Sequence, residues 1–118
     1  MNPGDTILAR LQQADGQIKR RPALILTKMP PYNDLLICGI SSQIRQAVEG
    51  FDEVISESDP DFGKSGLKAT SLFRIGMVTT IPRTATLGAL GSIPRDRLNR
   101  LLHNLSEHIK TEQASFRK

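Results

Sequence analysis

The sequence predicts a single, mainly β domain of the α+β class with one helix at its C-terminal end, and three observations carry that prediction. Its 118 residues are enough for one compact core and too few for two. Between Thr6 and Gly91 the apolar residues come in short runs broken by Gly, Pro, Asn and Asp, the spacing of strands. Only after Pro94 does a 3.6-residue period set in, with Leu98, Leu101, Leu102, Leu105 and Ile109 on one stripe.

Residues 6–11 read as the first strand, and Ala14-Asp15-Gly16-Gln17 as the turn that follows it. The next strand is Arg21-Pro22-Ala23-Leu24-Ile25-Leu26-Thr27. Pro22 has no N–H for a ladder and is expected at its start. Pro30 and Pro31 interrupt regular structure before a third apolar run, residues 35–40. Residues 49–66 are acidic and read as a loop without a core of its own, holding a short strand at 53–56 and a turn or single helical turn at 59–62. Residues 72–81 form a further strand stopped by Pro82, and residues 86–91 a bent one whose glycines permit close backbone approach. Pro94 suits the first position of the helix, whose apolar stripe caps a barrel or meets a partner. The domain is expected to span residues 1–111, with 112–118 a frayed tail.

Sixteen Lys and Arg against twelve Asp and Glu give a net charge of +4, a balance that suits polyanionic partners. No apolar run reaches the roughly 20 residues of a membrane span. Met1-Asn2-Pro3-Gly4-Asp5 lacks the basic and apolar regions of a secretory signal, so a cytoplasmic protein is expected. The lone Cys38 sits in an apolar run, where it reads as a small buried hydrophobe rather than a nucleophile.

Lys19-Arg20-Arg21 and Ile40-Ser41-Ser42-Gln43 each bring polar groups to the end of an apolar strand. A planar guanidinium and a nearby hydroxyl match the oxygens of a phosphate. Taken singly, the basic triplet serves solubility and the serines cap a strand end; together they point two strands at one rim. Arg74 and Arg83 bracket the 72–81 run, as scattered surface charge or as the continuation of a positive groove. His103 and His108 are five apart on a helix, about 140° around its axis, and cannot form an acid–base pair. Glu57, Asp59 and Asp61 are interrupted by Pro60 and have no His companion, so no metal is expected. Gly63-Lys64-Ser65 looks like the end of a phosphate-binding loop, but Ser58 stands where that loop needs glycine. Of the few aromatic residues, Tyr32 is the visible stacking candidate, while Phe73 belongs in the core.

In Gly4-Asp5, Lys19-Arg20-Arg21-Pro22-Ala23-Leu24-Ile25-Leu26, Ile40-Ser41-Ser42-Gln43, Gly66-Leu67-Lys68 with Ser71, and the terminal amphipathic helix, the chain resembles the MazF/PemK toxins of bacterial type II toxin-antitoxin modules. The resemblance covers nearly the whole length. It implies an SH3-like β-barrel with a C-terminal helix, a homodimer, and cleavage of single-stranded RNA with no metal or other cofactor. It also implies a cognate antitoxin whose extended tail blocks the groove. The family's catalytic arginine falls on Arg21, its catalytic hydroxyl on Ser41, and the additional arginine of the PemK branch on Arg74. That branch's acidic partner is replaced by Gly76 and its loop histidine is missing; Asp15 stands nearest by spacing and is the expected general base. Lys19, Arg20, Ser42, Gln43, Arg74 and Arg83 are the expected RNA-binding residues. Attack of the substrate's 2′-OH would leave a 2′,3′-cyclic phosphate and a 5′-OH. Two rival readings share the barrel. A gyrase-poisoning toxin of the CcdB kind uses a Trp-bearing C-terminal end, and this chain has no Trp. A degenerate RNA-binding barrel would retain RNA without cutting it.

Overall fold

A computed structural model describes residues 1–116, the side chains of 114–116 excepted. Six strands, β1 (Asp5–Gln12), β2 (Ile18–Met29), β3 (Asp34–Ser41), β4 (Glu53–Ile55), β5 (Ser71–Ile81) and β6 (Thr86–Ser92), form one sheet. Its order is β4-β5-β3-β2-β1-β6, and every pairing is antiparallel. A short helix, α1 (Phe62–Ser65), precedes β5, and α2 (Arg95–Phe116) ends the chain. The expected fold class is the observed one, with the sheet curled into a half-barrel.

The uninterrupted apolar run in β2 has a simple cause: successive side chains point to opposite faces, and both faces are covered. Leu24 and Leu26 pack with Cys38, Ile40, Phe73 and Ile75 beneath Leu98 and Leu101 of α2. Ala23 and Ile25 join Ile7, Ala9, Ile37 and Ile81 on the other face, inside the curl. Burying a side chain such as Leu24 or Ile25 stabilises the fold by about 2 kcal/mol each.

Curvature comes from bulges and closure from glycine. On β5 the register jumps from Cys38↔Val78 to Gly39↔Arg74, leaving Ile75, Gly76 and Met77 as extra residues that bend the strand. The two ends of the sheet meet through α1. The Thr6 hydroxyl donates to the Ser65 carbonyl at 2.6 Å, and Gly66, with φ +70, presses its backbone against the Leu90 carbonyl, where no Cβ fits. Gly91 meets the Lys64 carbonyl equally closely, the backbone approach expected of its strand.

Two expectations need correction. Pro22 lies inside β2 rather than at its start: residues 18–21 extend the strand along β1, while pairing with β3 begins only at Ala23. At Pro22 the strand therefore has a neighbour on one side alone, which is where a residue without an N–H is tolerated. Residues 49–66 do hold a core residue, the fully buried Ile55, and three of their acids are paired. Arg97 reaches Glu53 at 3.1 Å, Asp59 at 3.4 Å and Asp61 at 2.9 Å, so α2 is clamped to this segment. The helix runs from Arg95 to Phe116, and Arg117 and Lys118 lie outside the described residues. Its stripe is covered only over the first turns. Leu101 is fully buried, whereas Ile109 is 52% exposed, and His108 rests its ring 5.1 Å from that of Phe51.

No described helix is long and apolar enough to cross a membrane.

Candidate nucleic-acid interface

β1 and β2 pair Ala9 with Arg21, and β2 and β3 pair Ala23 with Gly39. Carrying the second register two residues further sets Arg21 across from Ser41. The ladder with β3 stops short of them, and both residues line a cleft. Arg74 enters from the third strand, paired directly with Gly39. Alternation along each strand puts Arg21, Ser41 and Arg74 on one face, the face of Ala23, Ile25 and Ile37. All three line an open cleft of about 1200 Å³.

Ser42 and Gln43 line the same cleft. The backbone N–H of Gln43 donates to Ser41 Oγ at 3.0 Å. With that lone pair engaged, the Ser41 hydroxyl can turn its proton toward a ligand. Among the described residues, every charged one lining the cleft is a cation, Arg10, Arg21, Lys68 and Arg74, so these walls attract a polyanion.

Four expected site residues are not in the lining. Asp15 stays in the β1–β2 turn, where its carboxylate accepts the Gln17 N–H at 3.0 Å. Lys19 and Arg20 lie on the outer part of β2 opposite Leu11 and Arg10, and Arg83 sits on the turn before β6. Tyr32 is exposed in the turn before β3 and Phe73 is fully buried, so neither faces the cleft. Cys38 is likewise outside; burial, reinforced by Asp52, pushes its thiol up to about 12, the state of an inert packing group. No three His, Cys, Asp or Glu among the described residues are grouped to hold a metal ion.

Sequence reading missed Arg10, Lys68 and Gln46 as lining residues. Arg10 pairs with Arg20, so alternation puts it on the face opposite Arg21 and gives no sign that it lines the cleft. Lys68 and Gln46 depend on loop paths that carry no periodic signal.

The chain is similar to known proteins in two ways. In structure it is similar to the Mycobacterium tuberculosis toxin MazF-mt6, with a TM-score of 0.67 and 18% identity over 90% of this chain and 96% of that one. At that identity the likeness speaks for the fold. No curated protein matches the chain in sequence. Residues 2–109 match the family described as PemK-like, MazF-like toxin of type II toxin-antitoxin system. With nearly its full length so matched, the chain belongs to the PemK-like, MazF-like family of type II toxins.

Proposed function

We propose that the protein is a toxin endoribonuclease that cuts single-stranded RNA without a metal ion and is neutralised by a cognate antitoxin lying in the same cleft. The observation that carries this is the convergence of Arg21, Ser41 and Arg74 on one face of a cleft whose charged lining, among the described residues, is cationic.

Phosphate, held by the two guanidiniums and the Ser41 hydroxyl, is attacked by the adjacent 2′-oxygen. The new O2′–P bond forms as the P–O5′ bond breaks, giving a 2′,3′-cyclic phosphate and a 5′-oxygen that takes up a proton. Arg21 stabilises the charge that builds on the non-bridging or leaving oxygen, and Arg74 holds the phosphate from the opposite strand. These fixed cations supply the positive charge that a divalent ion provides in other nucleases. Asp15, tied to its own turn, is assigned no step. The 2′-proton passes to a phosphate oxygen or to water. Dependence on the 2′-OH restricts the reaction to RNA, and unpaired strands expose the bases a duplex hides. On this reading the protein works in the cytoplasm as a homodimer.

The test is gel analysis of labelled single-stranded RNA incubated with purified protein in excess chelator. Products ending in cyclic phosphate are expected, and Arg21→Ala should lower the rate on the order of a hundredfold or more with the fold intact. Retention of RNA without cuts would favour the degenerate barrel, and trapping of gyrase the gyrase-poisoning toxin.

A further inference from the structure

We propose that Asp52, which lies outside the cleft lining, is a positioning residue for it: Asp52 pins the backbone at Arg74 and so sets where that guanidinium meets phosphate. The inference rests on the nuclease reading, in which Arg74 holds the phosphate.

At the bulge of β5, Ile75 pairs with neither neighbouring strand. The ladder with β3 jumps from Val78 to Arg74, and the ladder with β4 ends at Phe73. Ile75 is nevertheless fully buried, and a buried N–H outside a ladder needs another acceptor. Asp52 supplies it, its Oδ1 accepting the Ile75 N–H at 3.0 Å. Carrying the β4 register one residue past Glu53↔Phe73 sets Asp52 across from Arg74. The carboxylate thus takes over where the backbone ladder stops.

The Ile75 N–H belongs to the planar peptide unit that begins at the Arg74 Cα. Holding that plane fixes rotation about the Arg74 Cα–C bond, and with it the direction in which the side chain leaves the strand. A bulge re-aims a side chain, and here the aim is held from the segment ahead of β4. That segment is itself fixed. Asp52 Oδ2 accepts the Val48 N–H at 2.9 Å, and the Asp52 N–H donates back to the Val48 carbonyl at 2.9 Å. Phe51 lies against the bulge, where a Cβ on Gly76 would stand 3.4 Å from Phe51 Cε2. Its carbonyl accepts the side-chain N–H of Asn104 on α2 at 3.0 Å. Among the described residues Asp52 forms no ion pair, so it acts on Arg74 through the backbone and not as a counter-ion.

The experiment measures cleavage of one labelled RNA by wild type, Asp52→Ala, Asp52→Asn, Arg74→Ala and the double variant Asp52→Ala/Arg74→Ala, each shown by circular dichroism to be folded at the assay temperature. Asp52→Ala should lower the rate by about tenfold or more, the scale of a displaced reacting group. Asp52→Asn, whose amide oxygen can still accept the Ile75 N–H, should stay within about threefold of wild type. In the Arg74→Ala background Asp52→Ala should change the rate by less than about twofold, because the group it acts through is gone. A residue that merely supports the fold would lower the rate equally in both backgrounds. Anisotropy with RNA carrying a 2′-deoxy residue at the cut gives a second readout. Asp52→Ala should bind more weakly than wild type although it has lost a negative charge, and should bind no more weakly in the Arg74→Ala background. Where Asp52→Ala does not fold, Asp52→Leu, which fills the space without an acceptor, carries the same cycle. A folded Asp52→Ala that cuts like wild type, equal losses in both backgrounds, or an Asp52→Asn loss as deep as that of Asp52→Ala overturns the inference and spares the nuclease reading. The expected cycle in binding with no cutting by wild type overturns the nuclease reading alone. Wild type that neither binds nor cuts RNA overturns both.

Discussion

Arg97 and Asp61, 36 residues apart in sequence, meet through two hydrogen bonds, Nε to Oδ2 at 2.9 Å and Nη2 to Oδ1 at 3.3 Å. The same guanidinium reaches Glu53 and Asp59 as well as the Val54 carbonyl, and its side chain is only 12% exposed. One cation on α2 thereby bridges three carboxylates of an acidic segment and fastens the helix to it. Removing it would leave three carboxylates facing one another with little water to screen them. Arg97→Ala should lower stability by about 3 kcal/mol. Arg100→Ala, which takes away a guanidinium 53% exposed, should cost under about 1 kcal/mol. Urea unfolding of the two variants checks both.

The clamp also predicts a pH dependence. Hydrogen bonding from Arg97, and then its charge, holds the Asp61 carboxyl below the usual carboxylate range. A carboxyl depressed in the folded state contributes stability that is fully present above its unfolded value, roughly 4. That contribution is lost as pH falls through the lower, folded value. Melting temperature should therefore drop below about pH 4 in wild type and drop less steeply in Asp61→Asn.

Closure of the half-barrel at Gly66 predicts a severe defect from a small change. A Cβ there would collide with the Leu90 carbonyl, and φ +70 is strained for any L side chain. Gly66→Ala should cost more than about 2 kcal/mol, or prevent folding. Gly63→Ala, where a Cβ has open space, is the control. Circular dichroism melts separate them.

Arg74 should act through phosphate and not through base identity. Arg74→Ala should weaken binding to all RNA sequences alike, and should reduce the slope of log affinity against log salt by about 0.7, the share of one phosphate contact on a single strand. Anisotropy titrations between low and moderate salt measure it.

Local patterning alone determined much of this protein. The strands, the C-terminal helix and the Arg-Pro and Ser-x-Gln steps that mark the family follow from periodicity, turn residues and short motifs, because each is encoded within a few neighbouring positions. Residues 49–66 read as a bare acidic loop because their counter-ions, Arg97 and Arg100, lie some 36 to 47 positions away. Tertiary structure decided which residues share the cleft. Asp15 and Arg21 belong to one hairpin, yet only Arg21 reaches it; Arg74 and Gln46 arrive from other parts of the chain. The cause is that strand register, the bulge at residues 75–77 and the contact between Gly66 and Leu90 set the curl of the sheet. Each of these is a relation between distant backbones, which leaves no period in the sequence.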